Sequence, residues 1–220
     1  MELPPAEPVS RPHTLMNLEV SLLFVAVFVA LMMRPWRMLE GGDLLSPLMG
    51  TLVVLPWIWA IPGLQTMPLP LQLSGACAVT LMMGWPLAIL VLTIVAVLSS
   101  LITNAEFSVL VTQLFWHGVL PATLALCIGA VIRRWAGTNL FVYILGRAFA
   151  GTIACTFISS ALAQFAGYEL PNIRPGLSLI GHWLLAWGDG FMTGILAAIF
   201  VAYRPQWLAT WSDKLYLHQR

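Results

Sequence analysis

The stretch Leu71 to Thr103, LQLSGACAVTLMMGWPLAILVLTIVAVLSSLIT, runs for thirty-three residues without a charged side chain. A helix needs about 20 apolar residues to cross a hydrocarbon core of about 30 Å, so the run is too long for one ordinary crossing. Gly84-Trp85-Pro86 interrupts its middle. Proline there removes a backbone donor and disfavours helix at the residue before it. The pattern predicts two shorter helices joined by a tight turn, with lipid as the solvent.

Composition agrees with that reading. Of 220 residues, 60% are apolar and only 9% are charged, against about a quarter in soluble domains. So few charges could not coat a soluble globule, whose surface would carry large apolar patches. Ten Lys and Arg stand against nine Asp and Glu, which leaves no basic field for phosphates and argues against nucleic acid as a partner. Cys77, Cys127 and Cys155 lie in apolar stretches with no C-x-x-C spacing. They read as small hydrophobes rather than a disulfide framework or thiolate metal site.

Further candidate spans are Leu15 to Met33, Leu44 to Pro62, Phe107 to Ile132, Asn139 to Ala166 and Ser178 to Tyr203. The first follows Arg11 in the manner of a secretory signal, but it ends in Met33-Arg34-Pro35-Trp36-Arg37 without the small residues of a cleavage site. Splitting Leu71 to Thr103 gives about seven crossings, against six if it is one tilted helix. With seven, one side gathers seven basic residues and the other two; with six, the split is six against three. Basic residues accumulate on the cytoplasmic side, so seven spans fit better, with the N-terminus outside and the C-terminus inside. The expected organisation is an irregular external leader over residues 1–14, an all-α transmembrane bundle over 15–203 and a cytoplasmic tail over 204–220. Trp36, Trp57, Trp59, Trp85, Trp135, Trp207 and Trp211 fall near proposed helix ends, where amphipathic rings settle.

Small residues mark candidate packing ridges in the last two spans: Gly190, Gly194 and Ala198 on one, Gly146, Ala150 and Ala154 on the other. Such ridges let helices approach closely in lipid. The two helices are expected to pack against each other or against a partner.

Ionisable groups within the spans are costly unless they face the bundle interior, water or a partner. At about 1.5 Å per residue, Glu19 and His182 lie roughly 6 Å below the outer edge, with Gln72 at similar depth. His117 and Asp189 lie roughly 15 Å deep, and Arg147 roughly 12 Å above the inner edge. The outer group, Glu19, His182 and Gln72, is a candidate metal site, since His with a carboxylate suits a divalent transition metal. The deeper group, His117, Asp189 and Arg147, is a candidate ligand path or proton relay; a structural Arg147–Asp189 pair, or an Arg147 that snorkels, are the alternatives. His182 and Asp189, two turns apart, share a helix face. No G-x-S-x-G elbow, phosphate-binding loop, H-E-x-x-H or dinucleotide fingerprint is present, so no enzymatic activity is expected and an ATP-driven role would need its ATPase on another chain.

Gly181-His182 followed by Trp187-Gly188-Asp189-Gly190-Phe191-Met192-Thr193-Gly194 resembles the late helix of the CbiM-like permeases of energy-coupling factor transporters. Tyr203-Arg204-Pro205-Gln206-Trp207, with Asp213 and Tyr216-Leu217, is similar to the C-terminal signature of a divergent bacterial branch of those permeases. Leu73-Ser74-Gly75 through Met83-Gly84-Trp85-Pro86-Leu87-Ala88 resembles that branch's helix–turn–helix segment. The similarity runs from about Gln72 to Leu217. It implies a substrate-capturing subunit of a bacterial inner membrane, for cobalt or nickel, working with a membrane coupling protein and cytoplasmic ATPases. Metal-binding members begin Met-His and use the free N-terminus, that histidine and a downstream histidine as ligands; this chain begins Met1-Glu2-Leu3-Pro4 and has Gln72 at the downstream position. The leading expectation is uptake of a small ligand, with a divalent transition-metal ion as candidate. The alternative is a non-transporting structural or assembly subunit of a larger membrane complex.

Overall fold

A computed structural model describes residues 13–64, 72–137, 139–168 and 175–211. Among them are six helices long and apolar enough to cross a bilayer, and no strand. They are α1 His13–Met32, α2 Leu45–Leu64, α3 Ala76–Thr103, α4 Phe107–Trp135, α5 Val142–Phe165 and α6 Pro175–Tyr203. The all-α polytopic bundle expected from the sequence is what the chain forms. Residues 1–12 of the expected leader and 212–220 of the expected tail lie outside the described residues.

α3 is not a single crossing. A straight helix of its 28 residues would be about 42 Å long. Yet a Cβ built on Gly75, just before it, would stand 2.8 Å from Leu55, while one on Gly63 would stand 3.0 Å from Thr103 at its far end. Leu55 and Gly63 are only about 12 Å apart along α2, so the chain must double back. It does so at Gly84, whose φ of 72° and ψ of 162° belong to a region that essentially only glycine occupies. Residues 76–83 form a short arm from mid-bilayer to one face, and residues 85–103 return across the whole membrane. The interruption read from Gly84-Trp85-Pro86 is therefore a hairpin, with a half-length descending arm.

The last segment of the chain holds the end of that arm. Breaking the helix at Gly84 leaves late carbonyls without intrahelical donors. Ala209 donates its N–H to the Met82 carbonyl at 2.8 Å, and the Thr210 hydroxyl donates to the Leu81 carbonyl at 2.8 Å. Leu208 and Trp211 are buried in the core, and Trp211 meets the Tyr143 ring edge-on. Residues 204–211, the first part of the expected cytoplasmic tail, pack against the bundle. Trp211 and Trp59 are likewise interior rather than interfacial; Trp59 is 2% exposed because its indole N–H is spent on the backbone next to Gly75.

These contacts gather the α1–α2 loop, Gly84, the α4–α5 loop and the chain after α6 at one end: Gly84 faces Met38, and Tyr143 bonds Thr210. That end carries Arg34, Arg37, Arg133, Arg134 and Arg204. The bias assigns this end to the cytoplasm. α3 fills the centre, with Met83, Ile89, Leu92 and Val95 fully buried. α1 instead turns Phe24, Phe28 and Met32 outward, as a lipid-facing helix should.

The two helices that carry the small-residue ridges pack against each other, through the Gly190 and Gly194 ridge alone. Gly190 and Gly194 of α6 receive Ile153 and Phe149 of α5; a Cβ on Gly190 would overlap Ile153. Gly146, Ala150 and Ala154 instead line an open apolar groove with Ile128 and Ile132 of α4. Residues 142–150 are π-helical, so a face counted at the α-helical period is displaced.

Substituting Gly84→Ala should destabilise the bundle by roughly 1–3 kcal/mol, since alanine must adopt a strained backbone there. Gly50→Ala, in open space on α2, should be neutral or slightly stabilising. Thermal unfolding in detergent separates them, and equal melting temperatures would speak against the hairpin.

Candidate functional site: an outward-opening cavity at the helix break

The short arm begins in the middle of the membrane, where its first backbone donors have no water to bond. Asp189 of α6 supplies the acceptor. One carboxylate oxygen receives the Ser74 N–H at 3.0 Å and the other the Gly75 N–H at 3.1 Å. The Ser74 hydroxyl accepts the Ala76 N–H at 3.2 Å, and the Trp59 indole donates to the Ser74 carbonyl at 2.9 Å. Gly75 has φ of 63° and ψ of −7°, a left-handed turn suited to glycine. Negative charge at a helix N-terminus is favourable electrostatically as well as by hydrogen bonding.

α4 is irregular at the same level. Pro121 has no N–H to give to the His117 carbonyl four residues earlier; the Ser74 hydroxyl takes that carbonyl at 2.6 Å. The π turn over Leu114–Val119 directs the Leu120 N–H to the Phe115 carbonyl. The Trp116 carbonyl is taken by the Ser159 hydroxyl. Freed backbone groups of one helix are thus satisfied by side chains of others.

Above this junction lies a cavity of about 490 Å³. Pro62, Gly63, Thr103 and Ala105 place its mouth at the outer end, and Ser74, His117 and Asp189 lie at its depth. Gln72, Thr112, Gln113, Trp116, Thr156, Ser160, Tyr168 and His182 complete the polar part of its wall. The volume suits a small ligand. His182 is the group most clearly left for one, because its Nε2 is buried and has no hydrogen-bond partner.

The sequence-derived groups are redistributed. His117, His182, Gln72 and Asp189 share the cavity. Glu19 does not line it; the carboxylate is 2% exposed and accepts hydrogen bonds from the Trp116 indole at 2.9 Å and the Tyr168 hydroxyl at 2.6 Å. The expected outer set of Glu19, His182 and Gln72 therefore separates, because two aromatic donors hold the carboxylate behind the wall. Arg147 leaves the deeper set too. Asp189 gives both oxygens to backbone N–H groups, and Arg147 packs on Gly129 and the Tyr143 ring. Among the described residues, no three His, Cys, Asp or Glu side chains stand close enough to hold a metal ion. Cys77 and Cys155 are buried, whereas Cys127 is exposed.

Sequence reasoning missed Ser74, Gln113, Thr156, Ser160 and Tyr168. Only Ser74 carried a signal, as a Ser-Gly pair immediately before an apolar helical run. No family model matches the chain, and no match is found among curated proteins or solved structures.

Asp189→Asn should destabilise the protein by about 1–3 kcal/mol, because the amide's NH₂ would oppose one of the two backbone donors. Ser74→Ala should cost a similar amount by stranding the His117 carbonyl. Unfolding in detergent measures both, and a wild-type melting temperature for Asp189→Asn would refute the cap.

Proposed function

We propose that this chain is the substrate-capturing permease subunit of an energy-coupling factor type transporter in a bacterial inner membrane. It takes a small polar ligand from the outer side, a divalent transition-metal ion being the first candidate. The observation that carries this reading is the cavity of about 490 Å³, open at the outer end and closed at mid-bilayer where a helix begins. Helices that break at the midplane are where transporters place their substrate sites, because the irregular backbone lines a cavity instead of facing lipid. The resemblance around Gly181-His182 and Gly188-Asp189-Gly190 supports the same reading, since His182 and Asp189 both reach this cavity.

His182 would receive the ligand, with Gln72 and His117 beside it; Asp189 closes the floor by fixing the short arm. A metal ion would complete its coordination with water or other oxygens, since the described protein groups alone do not supply three ligands of the usual kind. Energy would come from separate ATPases through a membrane coupling protein.

A second reading, a non-transporting assembly subunit, is favoured by the open groove along Gly146, Ala150 and Ala154, a surface suited to a partner helix. Gentle extraction discriminates the two: recovery with an ATPase pair fits transport, and recovery within a large complex lacking ATPases fits the scaffold.

Calorimetry with cobalt, nickel, copper and zinc should give saturable binding of at least one ion to the purified chain. His182→Ala should weaken it by about tenfold or more, since loss of even a group that only supports a metal ligand typically costs that much. Negligible binding by both proteins would remove the metal version.

A further inference from the structure

Arg147 is a cation inside a membrane helix for which the described residues provide no anion. It lies on the π-helical first part of α5, toward the cytoplasmic end of the bundle. Its Nε is sealed from solvent and has no hydrogen-bond partner. Asp189 and Glu19, the acids buried within the spans, are bonded elsewhere.

The guanidinium is nonetheless held in a defined place. A Cβ on Gly129 of α4 would stand 2.7 Å from Nε and 3.1 Å from Cζ, so any larger residue there would push the guanidinium out of this position. On another side the cation lies 5.8 Å from the centre of the Tyr143 ring. Tyr143 is itself buried and fixed by Thr210 and Trp211. Arg147 as a whole is half-buried while its Nε is sealed, so the exposure belongs to the outer parts of the side chain. Arg133 follows Gly129 by one helical turn and so shares its face, nearer the cytoplasmic surface; it is exposed. Beside this pair opens the apolar groove of about 540 Å³, lined by Ile128, Ile132, Gly146, Ala150 and Ala154.

We propose that Arg147 and Arg133 bind the phosphate of an anionic phospholipid of the cytoplasmic leaflet, with one acyl chain in the adjoining groove. A planar guanidinium fork suits phosphate oxygens. Basic pockets between helices on the cytoplasmic side are where anionic headgroups bind. The groove selects a lipid over an acidic peptide, because its lining is apolar throughout and includes Ile128, Ile132 and Gly146, the chain neighbours of Gly129, Arg133 and Arg147. This site lies apart from the cavity and does not depend on the transport reading.

Native mass spectrometry of the full chain in detergent, titrated with phosphatidylglycerol or phosphatidylcholine, tests the proposal. The wild type should retain phosphatidylglycerol at concentrations lower than phosphatidylcholine by roughly fivefold or more, the scale expected per basic residue near anionic lipid. Arg147→Gln should abolish that preference and Arg133→Gln should reduce it, whereas Arg204→Gln, on the cytoplasmic end but outside this pocket, should keep it. If Arg147→Gln does not fold, Gly129→Ala, which crowds the guanidinium, should lower the preference in its place. Equal retention of the two lipids, or a preference that survives loss of the Arg147 charge or the crowding of its pocket, would overturn the proposal. Displacement of the lipid by inorganic phosphate at matched concentration would assign the site to a free anion and overturn it as well.

Discussion

The architecture depends on satisfying the two ends of an eight-residue helical arm inside a membrane. At its start, the Asp189 carboxylate takes the Ser74 and Gly75 N–H groups. At its end, Ala209 and Thr210 take the Met82 and Leu81 carbonyls. In lipid, each such group left unbonded would cost several kcal/mol. The short arm is therefore tenable only while α6 and the segment after it are in place. α6 holds one end and the segment after it the other, which links the midplane to the cytoplasmic face through residues 189–210.

That constraint also creates the cavity. A full-length helix would have filled the outer half of the bundle with its own turns. A helix that starts at mid-depth leaves volume above itself, and the polar groups needed to cap it become part of the lining. The structural role of Asp189 and its nearness to a ligand site are thus one fact: binding chemistry is available where the backbone is irregular, because irregular backbone requires polar company. The same holds for α4, where Pro121 and the π turn free carbonyls that Ser74 and Ser159 engage.

Much of the fold was legible in the sequence, since it rests on the length of apolar runs and on local backbone chemistry. Gly84-Trp85-Pro86 signalled the reversal, and loop arginines signalled which ends lie together. The site was less legible because depth along a helix says nothing of rotation about its axis or of what stands opposite. Counting residues placed Glu19 level with His182, but Trp116 and Tyr168 draw Glu19 behind the cavity wall. Arg147 looked like a partner for Asp189, yet backbone N–H groups at the helix break outcompete it, and no side-chain inventory counts those donors. The direction faced by the ridge at Gly146 and Ala150 could not be counted from the sequence, because π-helical turns do not obey the α-helical period.

The doubling back of the chain at Gly84 is the claim on which cap, cavity and sidedness all rest. The most direct measurement is the distance between spin labels at positions 73 and 103, by pulsed electron resonance, in a variant with Cys77, Cys127 and Cys155 replaced. The hairpin predicts a separation on the order of 20 Å, because both positions lie against the same outer half of α2, at about 1.5 Å rise per residue. A distance near 40 Å, the span of an uninterrupted helix of that length, would contradict it.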